Sequence, residues 1–424
     1  MNKGSLDADI HRIIDERKHE IARTLSELVR IPSRTGEEGP AQEYVKKLYD
    51  SLGADVRSFE ANDGKIRKHS RLPPSLFSFK GRPNVVAVLK GKPSARSLIL
   101  NGHVDVVPVE PESSWSASPW SGKIKGDRLY GRGSCDMKAG LIINYYALKC
   151  LLDAGLTPEG TLTLESVIEE ESQGGGGTLA CLIEGYTADG TVVTEPSGET
   201  VELAASGVHW FRVKVKGNPA HASMAQAGAN AIYKMNRLCD VIRQLGETRA
   251  RENHHPLIER SAGRSCTLNI GRYRAGDWPS TVAAWAELDC RIGHVPGEKT
   301  EHVRQQVEDT ISRAADADEW LKDHHPEIEW FGIQSEPWEQ DPDHPLVKEF
   351  LSCARRVLRR PIAISGSTAC TDTQHMPNFK QPALVFGPSG GNIHGLDEYV
   401  NLSSVINCTR TVASFIADWC GVRS

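Results

Sequence analysis

The ten cysteines of this chain form no Cys-x-x-Cys pair, so the sequence offers neither a thiolate zinc site nor a disulfide framework. Long apolar runs are also missing: none approaches the roughly 20 residues that a membrane span needs. The chain lacks a basic excess as well. Lys+Arg is 50 against 55 for Asp+Glu, a net charge of −5, which argues against a chain built as a whole to bind nucleic acid. Residues Met1–Glu20 are polar and lack the apolar core of a secretory signal. No internal repeat or low-complexity tract is present. Scattered cysteines and the polar start lead to the expectation of a reducing cytoplasm. What the chain does have is 39% hydrophobic and 25% charged residues over 424 positions. That composition suits a folded chain of two or three domains.

Periodicity gives the organisation. Ile10, Ile13, Ile14, Ile21, Leu25 and Leu28 recur at mostly three- and four-residue spacing and predict a helix over Asp7–Arg30. A second helix is expected over Pro40–Leu52, followed by a basic, Pro-containing loop insertion at Gly64–Arg82. Short apolar runs at Asn84–Leu89, Ser97–Leu100 and Thr161–Val167 read as buried strands, with a helix over Ala139–Leu152 between them. Strand, helix and strand in alternation imply an α/β sandwich. From about Gly207 the texture changes. Val208–Lys216 alternates, Ala229–Leu245 and Thr300–Ala315 read as helices, and Ser265–Arg272, Thr281–Ile292 and Ile328–Ile333 read as strands. That order, βαββαβ, is a compact α+β, ferredoxin-like module. Helix–strand alternation then returns with Pro345–Leu358 and Ala383–Phe386. The reading is an α/β domain in two parts, 1–206 and 334–424, interrupted by a module at 207–333.

The polar residues that stand out sit where strands or turns end. His103 and Asp105 lie two apart just past an apolar strand; alone they are equally a solvated loop pair. Asp136 stands in a glycine-rich turn before a helix, where a helix N-cap is the plain alternative. Glu169, Glu170 and Glu171 end an apolar strand and enter the run Gly174–Gly177, and consecutive carboxylates there repel unless a cation neutralises them. No Gly-Lys-Ser/Thr follows, so the run is not a phosphate loop. Glu195 ends another apolar strand, and His394 lies in a late loop. Two imidazoles and three carboxylates (His103, Asp136, Glu171, Glu195 and His394) suit a borderline divalent metal such as zinc. Five ligands exceed one tetrahedral ion, and a carboxylate bridging two ions resolves the count.

The segments GHVDVVP, GRGSCDMKAG, EEES, TEPS and NIHGLDEYV, in this order and spacing, resemble the dinuclear zinc hydrolases. That family includes acetylornithine deacetylase, succinyl-diaminopimelate desuccinylase, aminoacylase and the glutamate carboxypeptidases. The resemblance runs from about Leu28 to Ile416 and takes in GNPAHAS and GDWPSTV of the module. It implies a mixed-sheet, zinc-exopeptidase-like catalytic domain with an inserted dimerisation domain. It also implies two divalent ions, zinc first, with cobalt or manganese as alternatives. By resemblance His103 and Glu195 ligate one ion, Glu171 and His394 the other, and Asp136 bridges them. Glu170 matches the general base, and Asp105 the carboxylate behind the ligands. His221 matches a histidine that reaches a neighbouring active site across a homodimer, and Arg291 an arginine that contacts a substrate carboxylate. A solvated strand arginine is the plain alternative for Arg291.

The chain departs from the pattern at Ser280–Ala283, where many members carry Asn-Val/Ile-Pro for the substrate carboxylate. The insertion at Gly64–Arg82 bears on the site entrance. The implied reaction is hydrolysis of an amide C–N bond in an N-acyl amino acid or dipeptide-like compound. Amine removal from a non-peptide substrate on the same metals, or a non-catalytic metal-binding relative, are the alternatives. The second would lack the base or a ligand, and none is missing. A zinc aminopeptidase would lack the module. Finally, the strand Val208–Lys216 and its neighbour suggest an exposed sheet edge, on which a two-fold homodimer would pair.

Overall fold

The computed structural model describes residues 3–69, 72, 74–172 and 175–423. Met1 and Asn2 of the N-terminal stretch and Gln173 and Gly174 of the glycine run lie outside them, as do positions 70, 71 and 73 of the insertion and Ser424. The chain forms two compact units. The first is Met1–Leu203 with Gln340–Ser365 and Thr371–Ser424, and the second is Ala204–Glu339 with Gly366–Cys370. The sequence assigned Gly366–Cys370 to the third segment. Contacts place it in the second unit: Ser206 N donates to Ser367 O at 2.9 Å, and a Cβ on Gly366 would sit 2.9 Å from Ile258 Cγ1.

The first unit is built on a mixed sheet. Seven of the sheet's nine strands run Asp55–Glu60, Pro83–Leu89, Leu162–Val167, Leu98–His103, Thr191–Val193, Ala383–Val385 and Val201–Ala205, in that spatial order. Leu162–Val167, Leu98–His103, Thr191–Val193 and Ala383–Val385 are mutually parallel, so their carboxyl ends emerge along one edge. Open α/β sheets carry their sites at that edge. The central strands are buried on every residue, as strands covered on both faces must be. Helix Lys138–Asp153 packs on Leu98–His103 and is buried almost all round. Lys3–Val29 and Leu402–Cys420 pack against it. Of the stripe read from the sequence, Ile10, Ile14, Ile21, Leu25 and Leu28 are fully buried and Ile13 is half-buried. Among the described residues no helix is long and apolar enough to cross a membrane.

The second unit is a four-stranded antiparallel sheet in the order Leu268–Ala275, Trp285–His294, Gly207–Lys216, Glu327–Ser335. Helices Ala231–Glu252 and Thr300–Asp316 cover one face. Phe211, Val213 and Val215 meet Leu238, Ile242, Val303, Val307 and Ile311 there. One sequence expectation is corrected. Gly207–Lys216 is not at an edge but lies between two strands, and the edges are Leu268–Ala275 and Glu327–Ser335. Alternation in sequence reports an open face, and a central strand shows it as well as an edge strand does.

The insertion is also not all loop. Asp63–His69 is a short helix whose buried residue is Ile66. The strand Asp55–Glu60, the helices Thr178–Ile183 and Pro256–Ala262, and the helix Leu402–Cys420 had no forecast.

Candidate metal centre

Four adjacent parallel strands deliver the site. Leu98–His103 ends on His103; Leu162–Val167 leads into Glu169–Glu171; Thr191–Val193 leads into Glu195; and Ala383–Val385 leads into the loop that carries His394. Asp136 enters from the turn that starts helix Lys138–Asp153. These side chains fall into two groups, His103–Asp136–Glu195 and Asp136–Glu171–His394. In each, the donor atoms lie within 4.8 Å of one another, a spacing that could hold a metal ion. Asp136 belongs to both: Oδ1 is 3.2 Å from His103 Nε2 and Oδ2 is 3.3 Å from His394 Nε2. Glu195 Oε1 is 3.3 Å from His103 Nε2, and Glu171 Oε2 is 3.1 Å from His394 Nε2. Glu170 belongs to neither group. Its Oε2 is 3.9 Å from His103 Nε2, so it faces the centre as a surplus carboxylate.

The supporting contacts explain the geometry. His103 Nδ1 donates to the backbone carbonyl of Asp105 at 2.9 Å, which turns Nε2 toward the carboxylates. The Asp105 side chain lies behind the clustered residues. Its Oδ1 lies 3.5 Å from His103 Nδ1, while its two oxygens accept the backbone N–H of Glu170 and of Glu171 at 3.1 Å each. Thr35 Oγ1 donates to it at 2.9 Å. Asp105 therefore holds the turn that carries Glu170 and Glu171. Glu398, which the sequence reading did not single out, does the same for the Asp136 turn. It accepts from the N–H groups of Gly133 and Cys135 at 3.1 and 2.9 Å and pairs with Arg132 at 2.7 Å, all buried. Behind His103, Asn101 donates to Glu165 and to Thr178, and Thr178 donates to Asp372 at 2.6 Å. Burial pushes Asp372 up to about 7 and Glu165 up to about 8.

Electrostatics in the centre follows from crowding four carboxylates with two imidazoles. Burial raises Glu170 well above the usual range, against the opposing pull of His103. Burial also lifts Glu195 from 4.5 to about 8. Burial alone would lower His394, but Asp136 and Glu171 outweigh it and carry the imidazole from 6.5 to about 11. In Asp136, too, burial is outweighed, here by the two imidazoles, and the carboxyl is held far below its ordinary range. The donor set thus suits a cation that would take the place of bound protons.

A pH prediction follows. Glu195 and His394 have raised values in the folded state. Their stabilisation is complete below about 4.5 and 6.5 and is lost as pH rises through about 8 and 11. The metal-free protein should lose stability between pH 5.5 and 8, while metal affinity climbs as ligands deprotonate. Added zinc should therefore raise the melting temperature more at pH 8 than at pH 5.5. Thermal melts at the two pH values check this, and a larger gain at pH 5.5 would contradict it.

The remaining two sequence candidates lie in the second unit. His221 is exposed, with Nδ1 2.7 Å from Ser223 Oγ. Arg291 is half-buried, and both terminal nitrogens are engaged, with Thr267 Oγ1 at 2.8 Å and the Thr368 carbonyl at 2.9 Å.

Comparisons agree with this picture. The N-formyl-4-amino-5-aminomethyl-2-methylpyrimidine deformylase of Bacillus subtilis is 31% identical over 365 residues, covering 81% of this chain and 84% of the relative. The deformylase of the same name from Halalkalibacterium halodurans is 28% identical, covering 97% and 96%. Among solved structures, the di-peptidase Dug1p of Saccharomyces cerevisiae superimposes with a TM-score of 0.76 at 13% identity, covering 99% of each chain, which shows a shared fold. The model of peptidase family M20/M25/M40 matches residues 99–418, a span that contains all five clustered side chains and Glu170. The chain is a metallohydrolase of C–N bonds and belongs to peptidase family M20/M25/M40.

Proposed function

We propose that this chain is a two-metal amide hydrolase that removes a formyl group from a primary amine carried by a small heteroaromatic ring. The observation that carries the reaction is the pair of donor groups sharing Asp136, with Glu170 3.9 Å from His103 Nε2 and a member of neither. His103, Glu195 and Asp136 would hold one divalent ion, and Asp136, Glu171 and His394 a second, with zinc the best match to imidazole and carboxylate donors. Such ions supply Lewis acidity and lower the pKa of a water molecule. Glu170 accepts a proton from the attacking water and returns it to the amine nitrogen as the C–N bond breaks. The products are formate and the free amine. Asp105 keeps Glu170 in place through the backbone.

The acyl group and the amine rest on the two deformylase relatives, both named for an aminomethylpyrimidine. Ser280–Ala283, in the position where a carboxylate-binding Asn-x-Pro is common, is consistent with an amine that carries no carboxylate. The test is a substrate panel with zinc, cobalt or manganese: N-formyl-4-amino-5-aminomethyl-2-methylpyrimidine, N-acetylornithine, N-succinyl-diaminopimelate and a dipeptide. The formylated pyrimidine should give the highest kcat/KM. A higher value for the succinyl compound or the dipeptide would overturn the substrate assignment.

We further read the protein as a homodimer of the cytoplasm. None of the ten described cysteines is in a disulfide, which suits a reducing compartment. Exposed Tyr233, Trp278 and Met224 on the second unit suit a buried contact, as does the edge strand Leu268–Ala275. In the dimer His221 serves the partner's centre as an oxyanion donor. His221→Ala should therefore be poorly active, and mixing it with inactive Glu170→Gln should restore activity. One of the two sites in a mixed dimer would then have both groups. No recovery after confirmed subunit exchange would remove the shared site.

A further inference from the structure

Among the described residues of the first unit, five large apolar side chains stand exposed: Leu76, Phe77, Ile124, Ile393 and Leu396. Four of them belong to the segments around the centre. Ile393 and Leu396 flank His394 in the chain. Leu76 and Phe77 lie on the inserted segment, and that segment is fastened to the turn carrying Glu170. Ser75 Oγ donates to Glu169 and to the Phe77 carbonyl. Arg82 is buried and donates through two nitrogens to Glu38 at 2.6 Å each and through a third to Ser78 O at 3.2 Å. Glu169 Oε2 accepts from Gly176 N at 3.0 Å, and Phe79 fills the space over Gly176, where a Cβ would come within 2.3 Å of its ring.

Phe77 is tied in by direct contacts. A Cβ on Gly36 would sit 2.9 Å from Phe77 Cδ1, and Gly36 has φ +103°, so a bare glycine seats the ring. Gly36 adjoins Thr35, which donates to Asp105, and Asp105 holds the N–H groups of Glu170 and Glu171. The Arg82 guanidinium lies 5.6 Å from the Phe77 ring centre. That cation is committed to Glu38 and Ser78, so it does not serve a substrate carboxylate. Phe77 is thus an exposed ring that is held in place, one short chain of contacts from the base.

We infer that Phe77, with Leu76, Ile393 and Leu396, forms an apolar rim that receives the amine side of the substrate as a planar, uncharged ring. The inference rests on the amide-hydrolase reading above and names the residues that select its amine. The probes are N-formylbenzylamine and N-methylformamide, which share the scissile bond and differ in the ring. In Phe77→Ala the ratio of kcat/KM between them should fall about 10-fold, with the loss in KM for the benzyl compound, the size expected for one lost ring contact. Phe77→Tyr should restore most of the ratio. An unchanged ratio, or an equal loss on both formamides, would overturn the rim. Calorimetric binding of benzylamine to the metal-loaded protein separates the two readings. If wild type cleaves neither formamide yet binds benzylamine about 10-fold more tightly than Phe77→Ala does, the deformylase reading fails and the rim stands. Equal binding by the two proteins overturns the rim whatever the activity.

Discussion

Glu170→Gln should hold its metal ions and lose nearly all turnover. The carboxylate faces His103 Nε2 at 3.9 Å but lies in neither donor group, so its removal takes no ligand from the centre. Gln is close to isosteric and keeps the backbone N–H that Asp105 accepts at 3.1 Å, so the turn should stay in place. What is lost is the ability to take a proton from water and return it to the amine. General acid–base groups contribute about 10²–10⁴-fold, and kcat should drop by at least that much. Because the loss falls on the chemical step, KM should change little. Metal analysis and steady-state kinetics on one preparation decide it. Near-normal kcat with full metal would end the assignment, and lost metal would make Glu170 a ligand instead.

Much of this centre was legible in the sequence because of where chemistry sits in an α/β sheet. Parallel strands emerge at one edge, so carboxylates and histidines just past apolar runs converge without any knowledge of strand order. His103, Asp136, Glu171, Glu195 and His394 do gather at that edge. What stayed hidden were contacts made through the backbone or over long separations. His103 is held by a carbonyl, which sequence does not display, and the Asp105 side chain turned out to hold two amides of the Glu170 turn. Glu398 reaches a turn more than 260 residues away in the chain and looks like any loop acid until the fold closes.

Elements were missed for other reasons. Leu402–Cys420 buries Ser404, Thr409, Thr411 and Ser414, and these polar residues blur its apolar stripe. Thr409 and Thr411 satisfy themselves on the carbonyls of Val405 and Asn407, which is how a helix can bury hydroxyls. Asp55–Glu60 is the outer strand of its sheet and mostly exposed, so it has no alternation to read.

Asp136→Ala should have the opposite signature from Glu170→Gln: the metal goes first and activity with it. Asp136 is the one side chain common to both donor groups, with one oxygen toward each histidine. Removing it leaves two ligands in each group, fewer than the three protein ligands that catalytic zinc sites keep. It also takes away one of the two carboxylates that together outweigh burial at His394 and hold that imidazole at about 11, so the His394 pKa should fall. The variant should still fold, because the turn around position 136 is held by Glu398 through the N–H groups of Gly133 and Cys135, contacts that the side chain at 136 does not make. A ligand at 1,000 times its dissociation constant stabilises a fold by about 4 kcal/mol. The rise in melting temperature on adding zinc should therefore shrink or vanish in Asp136→Ala. Activity should be undetectable at zinc concentrations that saturate the native protein. Two tightly held ions in the purified variant would contradict the shared role of Asp136. One retained ion would show that the two groups bind independently, and comparing Glu195→Ala with Glu171→Ala would then tell which group keeps it.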